Sequence, residues 1–167
     1  PIAQQGWDQA GGYAGTGGWT IGVKPGPEYL AALELISLTP EQQAVVDDVA
    51  YNAYRPCCGN MTAFPDCNHG MAALGLAELM ASQGASADDI FQALKDISPF
   101  WFPSQYHQLA LYFEGQDQDW EDVDARMVMG REYSSSTGFK QVSALLQQQG
   151  SLGTGGAAGG NASSCAP

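Results

Sequence analysis

Residues 70–97 read GMAALGLAELMASQGASADDIFQALKDI, and this stretch decides the fold class. Its first half is almost entirely apolar, which predicts a central, buried helix from about residue 70 to residue 83, ended by Gly84. Ser86-Ala-Asp-Asp89 is a helix N-cap signal, and a second helix is expected to follow it. That helix turns these large apolar side chains inward: Ile90, Phe91, Leu94 and Ile97.

The flanking segments carry further helix signals. Thr39-Pro40-Glu41-Gln42 combines an N-cap, proline at N1 and glutamine at N3, and the helix it opens must stop before Pro56. Proline at position 27 predicts an earlier helix that runs to about Ser37, and Pro99-Phe-Trp-Phe-Pro103 predicts a turn. Three more helices are expected farther along the chain: about 104–113, one ending near Tyr133, and about 138–149.

These signals describe one domain between two irregular arms. Strand signals are weak, and the sequence has no internal repeat, dinucleotide loop or P-loop. We therefore predict an all-α fold, a compact bundle of five to seven short helices over residues 27–149, with a Cys-rich loop at 55–71. Residues 1–26 form a Gly/aromatic arm and residues 150–167 a Gly/Ala/Ser-rich tail, both without regular structure.

Composition limits the classes of partner and the compartment. The 167 residues include 18 acidic and 6 basic side chains, a net charge of −12, which repels nucleic acid and anionic lipid. The sequence contains no run of ~18 apolar residues, so no transmembrane segment is predicted. The first residue is Pro1 rather than Met, which is expected of a chain whose leader has been removed or that has been trimmed. With the even number of cysteines, the first alternative predicts a secreted, periplasmic or cell-surface protein.

The chemistry-bearing segment is residues 55–71, RPCCGNMTAFPDCNHGM. It holds three of the four cysteines and one of the two histidines, together with methionines. Thiolate, imidazole and thioether are the soft donors that suit copper, especially Cu(I), and a helix N-terminus beside them favours the thiolate form. The expected metal ligands are Cys57, Cys58, Cys67, His69 and Met71.

Disulfides compete with metal binding for the same sulfurs. An even number of cysteines in an exported chain favours disulfides, and the candidates are Cys57, Cys58, Cys67 and Cys165. Adjacent cysteines rarely pair with each other, so either Cys57 or Cys58 is expected to pair with Cys67, and the other with Cys165. Two sequons also make Asn60 and Asn161 candidates for N-glycosylation.

Other chemistries are less well supported by the sequence. Covalent haem is not expected because there is no Cys-x-x-Cys-His, and only half of a zinc ligand pattern is present. Cys67 with His107 as its base is the nearest approach to a nucleophile pair, and no catalytic constellation is complete. The sequence therefore does not favour an enzyme.

Part of the chain resembles exported bacterial proteins named for a PCYCGCG motif. The similarity covers roughly residues 40–97: Arg55-Pro-Cys-Cys-Gly-Asn, then Asp66-Cys67-Asn68-His69, then an apolar helix that ends in Gly84-Ala-Ser86. This chain has Pro-Cys-Cys-Gly in place of the three-cysteine run and lacks the later Cys-x-x-Cys. The resemblance implies a secreted or lipid-anchored helical protein, with metal binding as the natural role of Cys57, Cys58 and Cys67.

Two functions of different classes follow. The first is a disulfide-stapled extracytoplasmic protein that binds a soft metal, copper, at the Cys/His/Met segment for storage, delivery or electron transfer. The second is a structural subunit of a cell-surface filament or a larger membrane-associated assembly. It would contact protein partners or further copies of itself through residues 1–26 and 150–167.

Overall fold

The computed structural model describes residues 11–13, 23–29 and 32–150.

Side-chain caps fix where the helices begin. Thr39 and Gln42 form a capping box in which the Thr39 N–H donates to Gln42 Oε1 at 2.9 Å, and Ser86 and Asp89 form another. The predicted starts of these two helices are confirmed. Each capping side chain satisfies backbone groups that have no partner within the helix.

Seven helices lie in the described part of the chain. They are α1 (Pro40–Asn52), α2 (Asn68–Ser82), α3 (Ala87–Trp101), α4 (Pro103–Glu114), α5 (Ala125–Met129), α6 (Arg131–Ser134) and α7 (Ser136–Gln148), and a 3₁₀ turn at Gly26–Tyr29 precedes them. No strand occurs among the described residues, where extended pairing is limited to one bridge between Tyr54 and Met61. The predicted all-α fold is confirmed. None of the described helices is long and apolar enough to cross a membrane.

Helix α3 is the centre of the bundle. It packs against α1, α2, α4 and α5, while α7 closes the structure against α4 and α6. Its buried apolar side chains belong to a core shared with the neighbouring helices: Ile90, Phe91 and Leu94 with Val49, Tyr106, Leu109, Phe113, Val128 and Leu146. The prediction that α2 is the central, buried helix is wrong. Its buried face consists of small residues, Gly70, Ala73, Ala77 and Ala81, whereas the larger Leu79 is 47% exposed.

Two local predictions are also wrong. Residues 32–39 do not continue a helix from Pro27, and Leu33 and Leu35 are exposed, so this segment lacks the buried apolar face that a short helix needs. The predicted turn at 99–103 is replaced by a helix that runs through Pro99 to Trp101. The Phe102 N–H donates to the Ser98 carbonyl at 2.9 Å, which continues the helical ladder past the proline.

Lys95 is a buried cation that fixes the segment between α4 and α5. Its ammonium donates to the carbonyls of Trp120 (2.6 Å) and Val123 (2.8 Å) and lies 5.0 Å from the centre of the Trp120 ring. Lys95→Met leaves two carbonyls without a donor, so we expect the free energy of unfolding to fall by about 2–3 kcal/mol in urea denaturation. Lys140→Met, at an exposed position of α7, is the control and should change it by less than about 0.5 kcal/mol. Equal effects of the two substitutions would contradict this role.

Gly138 allows the close approach of α6 and α7. A Cβ at this position would overlap the carbonyl group of Glu132, which is backbone and cannot rotate away. Gly138→Ala is therefore expected to destabilise the protein by about 1–3 kcal/mol in thermal or urea denaturation. Gly75→Ala, where no atom lies within 4 Å of the added Cβ, should instead stabilise α2 by up to about 1 kcal/mol. A change of stability in the same direction in both alanine variants would contradict this role of Gly138.

Candidate metal centre

The loop between α1 and α2, residues 53–67, is folded back on itself. The Thr62 N–H donates to the Ala53 carbonyl at 2.9 Å, and the Thr62 hydroxyl donates to the same carbonyl at 3.0 Å. Tyr54 pairs with Met61 across the loop in an antiparallel bridge. The fold of the loop returns its first two cysteines to the third, which stands at the start of α2.

Arg55 is the buried cation around which this loop is built, and its side chain is 5% exposed. Its Nε donates to Cys67 Sγ at 3.2 Å, and its Nη1 donates to the Met61 carbonyl at 3.2 Å. Its Nη2 donates to the Phe64 carbonyl at 3.0 Å and to Asp66 Oδ1 at 2.5 Å. The planar guanidinium has donors in a fixed fork, so one side chain holds both the backbone of the loop and a sulfur.

Gly70 leaves the space that the guanidinium occupies. A Cβ at residue 70 would lie 2.6 Å from Arg55 Nη2 and 3.0 Å from Pro65 Cα. Arg55 Nη2 is held by the Phe64 carbonyl and by Asp66, so a side chain at residue 70 would displace the guanidinium from these partners.

Cys67 is the N-cap of α2 and the sulfur best prepared to be a thiolate. Its Sγ accepts from the Gly70 N–H at 3.4 Å. Hydrogen bonds from the thiols of Cys57 and Cys58 hold the pKa of Cys67 far below its usual value. Burial opposes this shift, but the charge of Arg55 and the Gly70 N–H add to it. The negative charge of the cluster is therefore centred on Cys67.

The other two cysteines retain their protons in this arrangement. Hydrogen bonds with Cys58 and Cys67, together with burial, raise the pKa of Cys57 far above its usual value. At Cys58 the hydrogen bond with Cys57 lowers the pKa, whereas the bond with Cys67 and burial raise it, and the result is a pKa of about 11. The sulfur of Cys67 thus has donors around it from Arg55, the Gly70 N–H and the neighbouring cysteines, which favours its thiolate form.

Two overlapping sets of donor atoms lie in this cluster. The His69 group consists of Cys57, Cys67 and His69, and the Asp66 group of Cys58, Asp66 and Cys67. Within each group the ligand atoms lie within 4.8 Å of one another. In the His69 group the Sγ atoms of Cys57 and Cys67 are 3.7 Å apart. Two sulfurs bonded to one ion at ~2.3 Å are about 3.8 Å apart in tetrahedral geometry, so this spacing fits a shared cation.

Aromatic side chains from the junction of α3 and α4 cover His69. The imidazole centroid lies 4.6 Å from the Phe102 ring and 5.8 Å from the Trp101 ring. His69 is half-buried and Cys67 is 2% exposed. This aromatic wall of Trp101 and Phe102 packs against the imidazole and helps to fix its position.

The remaining predicted site residues lie elsewhere or stay untested. Met71 is half-buried in the first turn of α2, and its place among the ligands remains a prediction. His107 is exposed on α4 and belongs to neither donor group. Asn60 donates its side-chain nitrogen to Asp66 Oδ2 at 2.8 Å, so a glycan there would replace this bond. Asn161 and Cys165 lie outside the described residues.

No two sulfurs of the described residues lie at bonding distance. Cys57, Cys58 and Cys67 are free thiols, and the separation of 3.7 Å between Cys57 and Cys67 exceeds the ~2.05 Å of a disulfide. Both pairings considered above, with Cys67 and with Cys165, therefore stay predictions. The two sulfurs are close enough for either a disulfide or a shared ion to form after a small shift, and one excludes the other because a metal ligand must be a free thiolate.

Sequence reasoning missed two side chains of the cluster, Arg55 and Asp66. Both lie inside the segment singled out for its sulfurs, and a charged pair among so many small and apolar residues was the available signal.

No known family model matches the chain, and neither a curated protein nor a solved structure matches it. The similarity to PCYCGCG-motif proteins thus remains a prediction, and function has to be inferred from the cluster itself.

Proposed function

We propose that the protein binds copper(I) through Cys57, Cys67 and His69 in an extracytoplasmic compartment. The observation that carries this proposal is the convergence of two sulfurs, 3.7 Å apart, and an imidazole nitrogen in one group. Two thiolates and one imidazole are a soft donor set, which favours Cu(I) over the hard cations that oxygen ligands select. Storage, delivery or electron transfer are the roles that such a site serves.

The surroundings of the cluster support a soft ion over a hydrated one. The sulfur of Cys67 is buried, and the rings of Trp101 and Phe102 cover the imidazole. Cu(I) held by these three ligands needs no water molecules to complete its coordination sphere. Magnesium and calcium, in contrast, take six or more oxygen ligands. The net charge of −12 attracts cations of any kind and adds to affinity without adding selectivity.

The two histidines of the chain provide a matched test of this site. Reduced protein is titrated with Cu(I) under anaerobic conditions against a coloured Cu(I) chelator. His69→Gln removes a ligand, so we expect the affinity to fall by at least about 10–100-fold, the loss that follows even when an outer-shell partner of a metal ligand is removed. His107→Gln is the control at an exposed position of α4 and should leave the affinity unchanged. No binding by the reduced wild type, or equal losses in both variants, would overturn the proposal.

A further inference from the structure

The Asp66 group offers a second position for a cation beside the first. The thiol of Cys58 points at Asp66 Oδ1, with 3.9 Å between the sulfur and the oxygen. Cys67 Sγ lies within 4.8 Å of the Cys58 sulfur and of an Asp66 carboxylate oxygen. An ion in this position takes the place of the Cys58 proton. The Asp66 carboxylate already accepts from Arg55 and Asn60, but a carboxylate has about four lone-pair sites, so it has capacity for a further partner.

Cys67 Sγ is the atom that the two groups share. A thiolate sulfur is large and polarisable and carries more than one lone pair, so it can bind two soft ions at once. Cys57 and His69 approach it in one group, and Cys58 and Asp66 approach it in the other. Each ion thus has ligands of its own and shares the sulfur of Cys67 with the other ion.

Charge balance favours two monovalent ions over two divalent ions. The guanidinium of Arg55 offsets the carboxylate of Asp66, with which it forms a largely buried ion pair. When both positions are filled, three thiolate charges remain. Two monovalent ions leave one negative charge, which faces the N–H donors of Arg55 and Gly70, whereas two divalent ions would leave one positive charge next to the guanidinium of Arg55. An unpaired buried charge of this kind is costly.

We propose that the cluster holds two soft monovalent ions bridged by the sulfur of Cys67, with Cys57 and His69 completing one position and Cys58 the other, where the Asp66 carboxylate adds a weaker oxygen contact. This inference rests on the proposed copper(I) site and adds its stoichiometry, its bridging atom and its second set of ligands. Loading is an exchange of ions without oxidation or reduction: one metal ion replaces each thiol proton that leaves, and those protons pass to the solvent.

Silver(I), a monovalent soft ion without redox chemistry under these conditions, is a suitable probe. Reduced protein is loaded with silver(I), passed through a desalting column and analysed by native mass spectrometry. The expected stoichiometry is two ions per wild-type chain and one per Cys58→Ser chain. Cys165→Ser removes a cysteine outside the loop and should retain two ions. Circular dichroism checks that each variant is folded, and Cys58 is half-buried, so serine is expected to fit in its place.

The outcomes separate this inference from the proposed function. One silver ion per wild-type chain overturns the two-ion cluster and leaves the copper(I) site standing, whereas no bound silver overturns both. Loss of an ion in Cys165→Ser with two retained in Cys58→Ser would place the second ion at the tail and would also overturn the inference.

Discussion

Arg55→Met is expected to lower the free energy of unfolding of the metal-free, reduced protein by about 3–5 kcal/mol, the range observed when one partner of a buried ion pair is removed. The substitution leaves the Asp66 carboxylate, whose side chain is only 14% exposed, without its cation, and it leaves the carbonyls of Met61 and Phe64 without their donor. Urea denaturation followed by circular dichroism measures the change.

Arg131→Met is the matched control, because Arg131 is exposed on α6. A surface substitution of this kind should change the free energy of unfolding by less than about 0.5 kcal/mol. If Arg55→Met were no more destabilising than Arg131→Met, the loop would not depend on the guanidinium, and the account of how the sulfurs are brought together would be wrong.

Cys67→Ser is expected to abolish binding of copper(I) and silver(I), with the affinity reduced by more than about 100-fold, since loss of an outer-shell partner alone costs 10–100-fold. Cys67 is the sulfur common to both donor groups, so its removal disrupts every candidate position. Serine is among the best N-cap residues, so the cap of α2 on the Gly70 N–H is preserved. The fold should therefore survive, which isolates the loss of the sulfur.

The measurement for Cys67→Ser is competition with the Cu(I) chelator, alongside urea denaturation of the same sample. We expect the free energy of unfolding to change by no more than about 1–2 kcal/mol, the cost of weakened hydrogen bonds at this side chain, so that the variant stays folded while binding is lost. A Cys67→Ser protein that binds copper(I) with wild-type affinity would remove Cys67 from the site.

The helix boundaries were predictable where the signal is local. Thr39 and Ser86 begin helices because each reaches a backbone N–H three residues ahead, and this relation is visible in the sequence. Pro99 misled the prediction, because a proline removes one hydrogen bond and the packing of α3 against four helices outweighs that loss. The prediction that α2 is central was wrong for a different reason. Close packing of α2 uses its alanines and leaves larger side chains such as Leu79 near the surface.

The site was predictable in its sulfurs and not in its surroundings. Cys67 and His69 were identified from their position at the start of an apolar helix. The aromatic wall was not, because Trp101 and Phe102 reach His69 from the α3–α4 junction, more than 30 residues away. The role of Arg55 depends on several backbone carbonyls that turn toward it only when the loop is folded. Contacts of this kind leave no pattern of spacing in the sequence.

The alternative function, a structural subunit of a cell-surface or membrane-associated assembly, remains a prediction. Its motivation lies in residues 1–26 and 150–167, which are almost entirely outside the described residues. Size-exclusion chromatography with light scattering, with and without reductant, addresses it directly. A monomer at every concentration would exclude self-association through these arms, and that result would leave the metal cluster unaffected.

X-ray absorption spectroscopy at the copper edge of the Cu(I)-loaded protein tests the central claim most directly, because it reports which atoms surround the ion. A site built from Cys57, Cys67 and His69 predicts sulfur neighbours at roughly 2.3 Å together with an imidazole nitrogen at about 2.0 Å. A spectrum that contains only oxygen and nitrogen neighbours would contradict it, since the copper would then lie away from the sulfurs that the loop brings together.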